Sequence, residues 1–314
     1  MKNGIDIDEQ KLIDINPKLL DVLLIDRTSG QNIIWGTEDY IDLGYSYNSH
    51  YPITAELISG KNSGVIKPRV VKSKELQGDR TKEKAEVFTP SWLCNEQNNL
   101  IDEAWFGRKE VFNISGDKSW KTVKGKIEFP EEKGKSWKDY VDERRLEITC
   151  GEAPYLVSRY DTTTGEFIKV NNRIGLLDRK MRIVSENTET EEEWLKWSER
   201  AFQSIYGFEF QGDSLLLARE NLLYSYVDYM KNHIEREPTE KELMTIAKII
   251  SWNIWQMDGL TMTIPYKKVV EQFEQISLFE EENEEKEISY CKIRDWRSKK
   301  DIEFFKLTEG EVGQ

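Results

Sequence analysis

The stretch "LEITCGEAPYL", residues 146–156, begins like an apolar strand and turns on a single glycine, Gly151. Glycine lets a backbone come close to a ligand with no Cβ in the way, and it accepts positive φ. Nucleotide-binding turns generally carry two or three glycines, so the first question is which ligand a one-glycine turn can hold. The remaining inventory narrows the chemistry. His50 and His233 are the only histidines, too few for a histidine-centred nucleophile or metal site. Cys94, Cys150 and Cys291 lie far apart with no C-x-x-C pair, and read as buried free thiols instead of a zinc cage or disulfide framework. Chemistry in this chain must come from backbone, carboxylates, aromatics or a bound cofactor.

The elements around that turn can be read from pattern. "KLLDVLLID", "NIIWGT", "PITAELISG" and "GVIKPRVV" suggest short strands, making residues 1–79 a β-rich lead-in. "TPSWLCNEQNNLIDEAWF" predicts a helix opening after Pro90 with Leu93, Leu100, Ile101 and Ala104 on its apolar face. Residues 113–138 are rich in Lys, Gly and Ser and read as a surface excursion. The Thr-Thr-Gly and Asn-Asn punctuation of residues 158–190 suggests hairpins. "TETEEEWLKWSERAFQS" predicts an amphipathic helix with an acidic first turn, and "IYGFEF" a strand. A helix from Asp213, as N-cap, to about Ile234 follows, and Thr239 and Glu242 make a capping box for the next. "FEEENEEKE" near residue 283 reads as an acidic linker, and "ISYCKIRDW" and "DIEFFKL" as a closing hairpin.

Composition sets the limits. The chain has 314 residues, 38 % of them apolar, a net charge of −13 and a pI near 5.0. Mean hydropathy is −0.67, and no stretch approaches the roughly 18 apolar residues of a membrane span. The N-terminus lacks the basic start and apolar block of an export signal, so a cytoplasmic location is expected. The acidic balance opposes general salt-driven nucleic-acid binding. Local charge differs: residues 61–84 hold eight cations against three carboxylates, a strip that reads either as a contact for one phosphate backbone or as a solvated loop.

Three segments in series, "EVFTPSWLCN", "LEITCGEAPYL" and "IYGFEFQGDSLLLARENL", make the chain similar to the N6-adenine DNA methyltransferases of restriction-modification systems, in particular the subunit-M-like modification methylases. The resemblance covers roughly residues 80–260. It implies a Rossmann-like core binding S-adenosylmethionine. Phe88, Thr89 and Pro90 match the segment that packs on the methionine part of the cofactor. Glu147, Cys150, Gly151 and Tyr155 match the motif after the first strand, with Ala153 where a second glycine belongs. There the Ala153 methyl would obstruct one backbone contact, and Pro154 removes an N–H donor. S-adenosylmethionine has no pyrophosphate to cradle, so one glycine can suffice. Glu209 matches the carboxylate that holds both ribose hydroxyls, a role that needs an acceptor of two donors. Gly151 and Glu209 are 58 residues apart, against about 20 in an ordinary dinucleotide unit, so the segment near 158–190 must be an insertion. Its Arg159, Lys169, Arg173, Arg179, Lys180 and Arg182 read as a DNA-backbone contact or as a structural flap. "NIWQMDGL" would place Asp258 near the adenine ring, although Leu243 to Met257 also fall on a helix seam ending at Gly259.

The family's catalytic Asn/Asp-Pro-Pro-Tyr loop is not found. Its nearest substitute is "TIPY", with Thr263 as acceptor, Pro265 as the second proline and Tyr266 as the ring that stacks on a flipped adenine. The expected organisation is a β-rich segment over 1–79, a methyltransferase-like cofactor-binding core over 80–270 with an insertion near 158–190, and an acidic linker with a C-terminal hairpin over 271–314. Three readings follow: an active enzyme with an altered loop, the cofactor-binding half of an enzyme completed by a second subunit, or a catalytically silent interaction protein of an anti-restriction or regulatory kind. A Walker loop and a metal-dependent nuclease motif are both absent from the sequence.

Overall fold

The structure is a computed structural model that describes residues 9–72, 89–266 and 290–308. It is a mixed α/β architecture around a parallel sheet of strands β3 (Arg145–Glu147), β4 (Ile205–Glu209) and β5 (Ile254–Gln256), in the spatial order β3-β4-β5. The register sets Glu147 beside Gly207, Gly207 beside Ile254, and Glu209 beside Gln256. All five β4 residues are buried, as a central parallel strand covered on both faces requires.

Over residues 9–72 the N-terminal segment is not β-rich. It opens with helices α1 (Glu9–Ile15) and α2 (Pro17–Leu24), continues through single helical turns such as α3 (Ala55–Ile58), and shows only the isolated bridges Ile25↔Asn32 and Ile34↔Pro52 among the described residues. Periodicity alone cannot tell a short apolar run in a strand from one in a buried helix. The start signal decides: the Asn16 side chain accepts from the Lys18 N–H, Pro17 pre-sets φ, and Leu19, Leu20, Leu23 and Leu24 are all buried.

Helix α4 (Ser91–Phe106) is where Pro90 predicts it, but its inward face is different. Leu100 is 65 % exposed and Ile101 is exposed, whereas Cys94, Asn95, Asn98 and Asp102 are buried. The reason is its buried partner, Arg179, which pairs with Asp102 and donates to Asn95 and Asn99 Oδ1. Beyond α4, the excursion forms a hairpin of β1 (Asn113–Gly116) and β2 (Ser119–Thr122), then α5 (Trp137–Asp142).

Between β3 and β4 the predicted hairpins reduce to one bridge, Tyr160↔Phe167, followed by α6 (Leu176–Asn187) and α7 (Glu191–Gln203). The side chain of Asp178 accepts from the Gly175 N–H at the start of α6, a helix start that the Asn-Asn punctuation concealed. Five of the six cations of this insertion are committed inside the fold. Arg159 and Arg173 pair with Asp228, Arg179 with Asp102, Lys180 donates to Val141 O and Glu143 O, and Arg182 donates to Phe112 O, Val123 O and Gly125 O. Lys169 is the exposed one.

Helix α8 (Gly212–His233) runs from the end of β4 and is buried nearly all round. Its fully buried Arg219 donates to the carbonyls of Leu23, Ile25, Ser251 and Ile254, joining the end of α2 to that of α9 (Glu240–Asn253). Helix α9 has the Thr239–Glu242 capping box and ends at Asn253, whose amide donates to Phe202 O and Ile205 O. Ile254 is already extended, so the seam to Met257 is not one helix. The hairpin β6 (Lys292–Asp295) and β7 (Lys300–Glu303), with α10 (Phe304–Thr308), packs Ile293 and Phe304 on the sheet face formed by Tyr206, Phe208 and Trp255. No helix among the described residues is long and apolar enough to cross a membrane.

Candidate functional site

The carboxyl ends of the three parallel strands bring most of the singled-out residues together. Past β3 the chain makes a tight turn in which Thr149, Gly151 and Ala153 all have positive φ, at 45°, 52° and 62°. Glu147 closes this turn from below, accepting from Tyr155 N–H at 3.3 Å and Leu156 N–H at 3.2 Å. Cys150 N–H donates to Phe208 O at 2.8 Å, tying the turn to β4. Ala153 is fully buried in the main core, so its methyl points away from solvent and does not obstruct the turn's outer surface. A Cβ built at Gly151 meets no atom within 4 Å; the space there is open to a ligand.

Glu209, at the end of β4, faces that turn. Its carboxylate accepts from the N–H groups of Gly151 (2.9 Å), Phe210 (2.9 Å) and Gln211 (3.2 Å). A carboxylate has about four acceptor positions, so roughly one is left. Burial raises the pKa of Glu209 above the ordinary value against the pull of those N–H donors. Burial raises Glu147 further, with the neighbouring Glu209 charge adding to it. The Cys150 thiol is pushed up by burial and then by both carboxylates, and all three cysteines are buried outside any disulfide.

Thr89 and Pro90 lie beside the same turn. Thr89 O accepts from Cys94 Sγ at 3.6 Å and from Thr162 Oγ1 at 3.0 Å. Asp161 accepts from Ser91 N–H at 2.7 Å, fixing the start of α4; burial works against the carboxylate, yet the Thr163 hydroxyl and the Ser91 and Thr164 N–H groups bring its pKa down to about 2. Phe88 lies outside the described residues, as do residues 73–84 of the basic strip. Within the rest of that strip, Lys61 and Lys67 are exposed, and Lys72 pairs with the buried Asp213 at 3.1 Å. Asp213 sits inside the first turn of α8 instead of capping it; Gln211 is the N-cap.

Asp258 follows β5, and Met257 N–H donates to Glu209 O at 3.0 Å, so the two acidic positions are neighbours across the strand ends. The Asp258 carboxylate accepts from Leu260 and Thr261 N–H, which folds residues 258–263 into a loop. Thr263 is buried, its hydroxyl 2.9 Å from that of Thr261 and donating to Ile264 O, and Pro265 is buried beside it. Tyr266 is 45 % exposed, its ring 3.9 Å from that of His50 and 5.4 Å from that of Phe210.

No family model matches the chain, and no curated protein or solved structure matches it significantly.

The sequence did not point to the segment that closes this end of the sheet. Ile34–Gly36 crosses the β4–α8 junction backbone to backbone: Gly212 N–H donates to Trp35 O, and Gln256 holds both Ile34 N–H and Ile34 O. A Cβ at Gly212 would lie 2.0 Å from Ile34 O, and one at Gly36 2.6 Å from Phe210 O. The glycine pair was the available signal. Among the described residues no cluster of His, Cys, Asp and Glu is arranged to hold a metal ion.

Proposed function

We propose that this chain binds S-adenosylmethionine at the carboxyl ends of β3, β4 and β5 and serves DNA adenine N6-methylation. The observation that supports this reading best is the meeting of Gly151 and Glu209: a turn with open space over its glycine, directly against a carboxylate at the end of the adjacent parallel strand. Ligands of open α/β sheets bind in such crevices at the strand ends. In this reading the remaining acceptor position of Glu209 takes one ribose hydroxyl, Gly151 allows the cofactor chain to lie against the backbone, Thr89 and Pro90 flank it, and Asp258 lies near the adenine. The bound cofactor would supply an activated methyl group. The residues of this chain bind and orient it.

Two features favour the cofactor-binding half of a two-chain enzyme over a complete one. The Thr263 hydroxyl is buried in its own loop, which leaves Tyr266 as the exposed member of the "TIPY" set. In addition β3, the strand that carries the glycine turn, is at the sheet edge among the described residues, with Leu146 and Ile148 exposed. A second subunit adding strands there would build the other wall of the crevice and bring the catalytic loop. Incubation with duplex DNA and cofactor labelled in its methyl group tests this. Label at adenine N6, from the chain alone or with the product of the neighbouring reading frame, is expected; cofactor binding without label in either case would make the chain a silent binding protein.

A further inference from the structure

A groove of about 1060 Å³ opens between the β1–β2 hairpin, the 167–173 loop and the last turns of α8. It lies at the far end of α8 from Glu209, about 30 Å away for a helix of this length. Lys118, Lys121, Lys124 and Lys169 line it, exposed and without a carboxylate partner among the described residues. The two lining carboxylates are already engaged, Asp178 by Ser158, Gly175 and Tyr229, and Glu186 by Arg182 and the Ile127 N–H. A protein of net charge −13 therefore presents a positive cleft here. Phe167 stands at its lip, 63 % exposed, and Trp120 fixes the hairpin to the loop by donating to Asn172 O at 2.8 Å.

Arg173 supplies a second, independent observation. It lines the groove at 7 % exposure, with Nε donating to Ile168 O and Nη2 bonded to Asp228 at 2.6 Å, while its Nη1 is buried with no acceptor. A buried guanidinium N–H without an acceptor is costly, and an anionic oxygen satisfies it best.

We propose that this groove binds a single nucleic-acid strand, its phosphodiester oxygens meeting the lysines and Arg173 and an unpaired base stacking on Phe167. An exposed ring among lysines suits an unpaired base, because a duplex keeps its base faces inside the stack. The site is assigned on its own chemistry and does not depend on the cofactor reading.

Fluorescence anisotropy of the full chain with a short labelled single-stranded oligonucleotide tests it. Binding that weakens steeply with salt is expected. The combined Lys118→Glu, Lys121→Glu and Lys169→Glu variant should bind about tenfold more weakly or worse, and Phe167→Ala about fivefold more weakly. All four side chains are exposed or partly so, and the variants should keep the parent's melting temperature and any stabilisation by S-adenosylmethionine, which separates this result from the cofactor question. Absence of binding by the parent, or unchanged affinity after charge reversal, would overturn the proposal. So would competition as effective as the strand's own from a mononucleotide, from polyglutamate or from the matching duplex, each of which names a different occupant.

Discussion

The backbone N–H of Gly151 donates to Oε2 of Glu209 at 2.9 Å, joining residues 58 positions apart at the ends of two adjacent parallel strands. This contact fixes the outer shape of the turn, because Glu147 holds its base and Ala153 is anchored in the core. The open side is the one above Gly151.

Gly151→Ala should therefore separate folding from binding. Its Cβ meets no protein atom, so the cost to stability is the left-handed strain alone, about 1–2 kcal/mol. The same methyl enters the proposed cofactor space. Denaturant unfolding should show the small loss, and titration with S-adenosylmethionine a much larger loss of affinity.

The Arg179–Asp102 pair is buried on both sides and is completed by Tyr140 OH donating to Asp102 at 2.7 Å. Arg179→Ala leaves Asp102 as an uncompensated buried charge and should lower stability by about 3–5 kcal/mol. A milder cost on chemical denaturation would show that α4 docks by other means.

Stability carried by Glu147 and Glu209 should fall as pH rises out of the acidic range. Glu147 and Glu209 have raised pKa values in the fold, so above the unfolded value of 4.5 the folded chain binds more protons than the unfolded one. Their contribution is greatest below that pH and is lost as pH rises through the folded values. Melting temperature should decline as pH rises above the unfolded value of 4.5, with a shallower slope in Glu147→Gln. Asp161 acts in the opposite sense: with its pKa at about 2, its contribution is present above the unfolded 3.8 and is lost as pH falls from there towards 2.

Tyr266→Ala removes a ring that is half exposed and packs on His50 and Phe210. Stability should change by about 1 kcal/mol or less. If Tyr266 is the ring that stacks on adenine, as the proposed function allows, cofactor binding should persist while binding of adenine-containing DNA falls. Thr263→Val, at a hydroxyl enclosed in its loop, should cost about 1–3 kcal/mol in stability with no selective effect on DNA.

The helices that announce themselves by caps were legible in the sequence: Thr239 with Glu242, and the acidic first turn after Thr190. So were β4 and the closing hairpin. The apolar run at Leu19–Leu24 was not, because a fully buried helix and a buried strand share that pattern and only Asn16-Pro17 separates them. The inward face of α4 was hidden for another reason: polar residues turn inward when the buried partner is an arginine on a distant helix, and nothing local encodes that pairing. At the site, the residues of the two motifs came from sequence, whereas the crossing of Ile34–Gly36 over Gly212 is a long-range contact visible only once the chain is folded.

Thermal unfolding with increasing S-adenosylmethionine, for the parent chain and Glu209→Ala, tests the central claim most directly. The account predicts a midpoint that rises with the logarithm of cofactor concentration in the parent and stays fixed in the variant. A parent chain whose midpoint does not move at millimolar cofactor would contradict it.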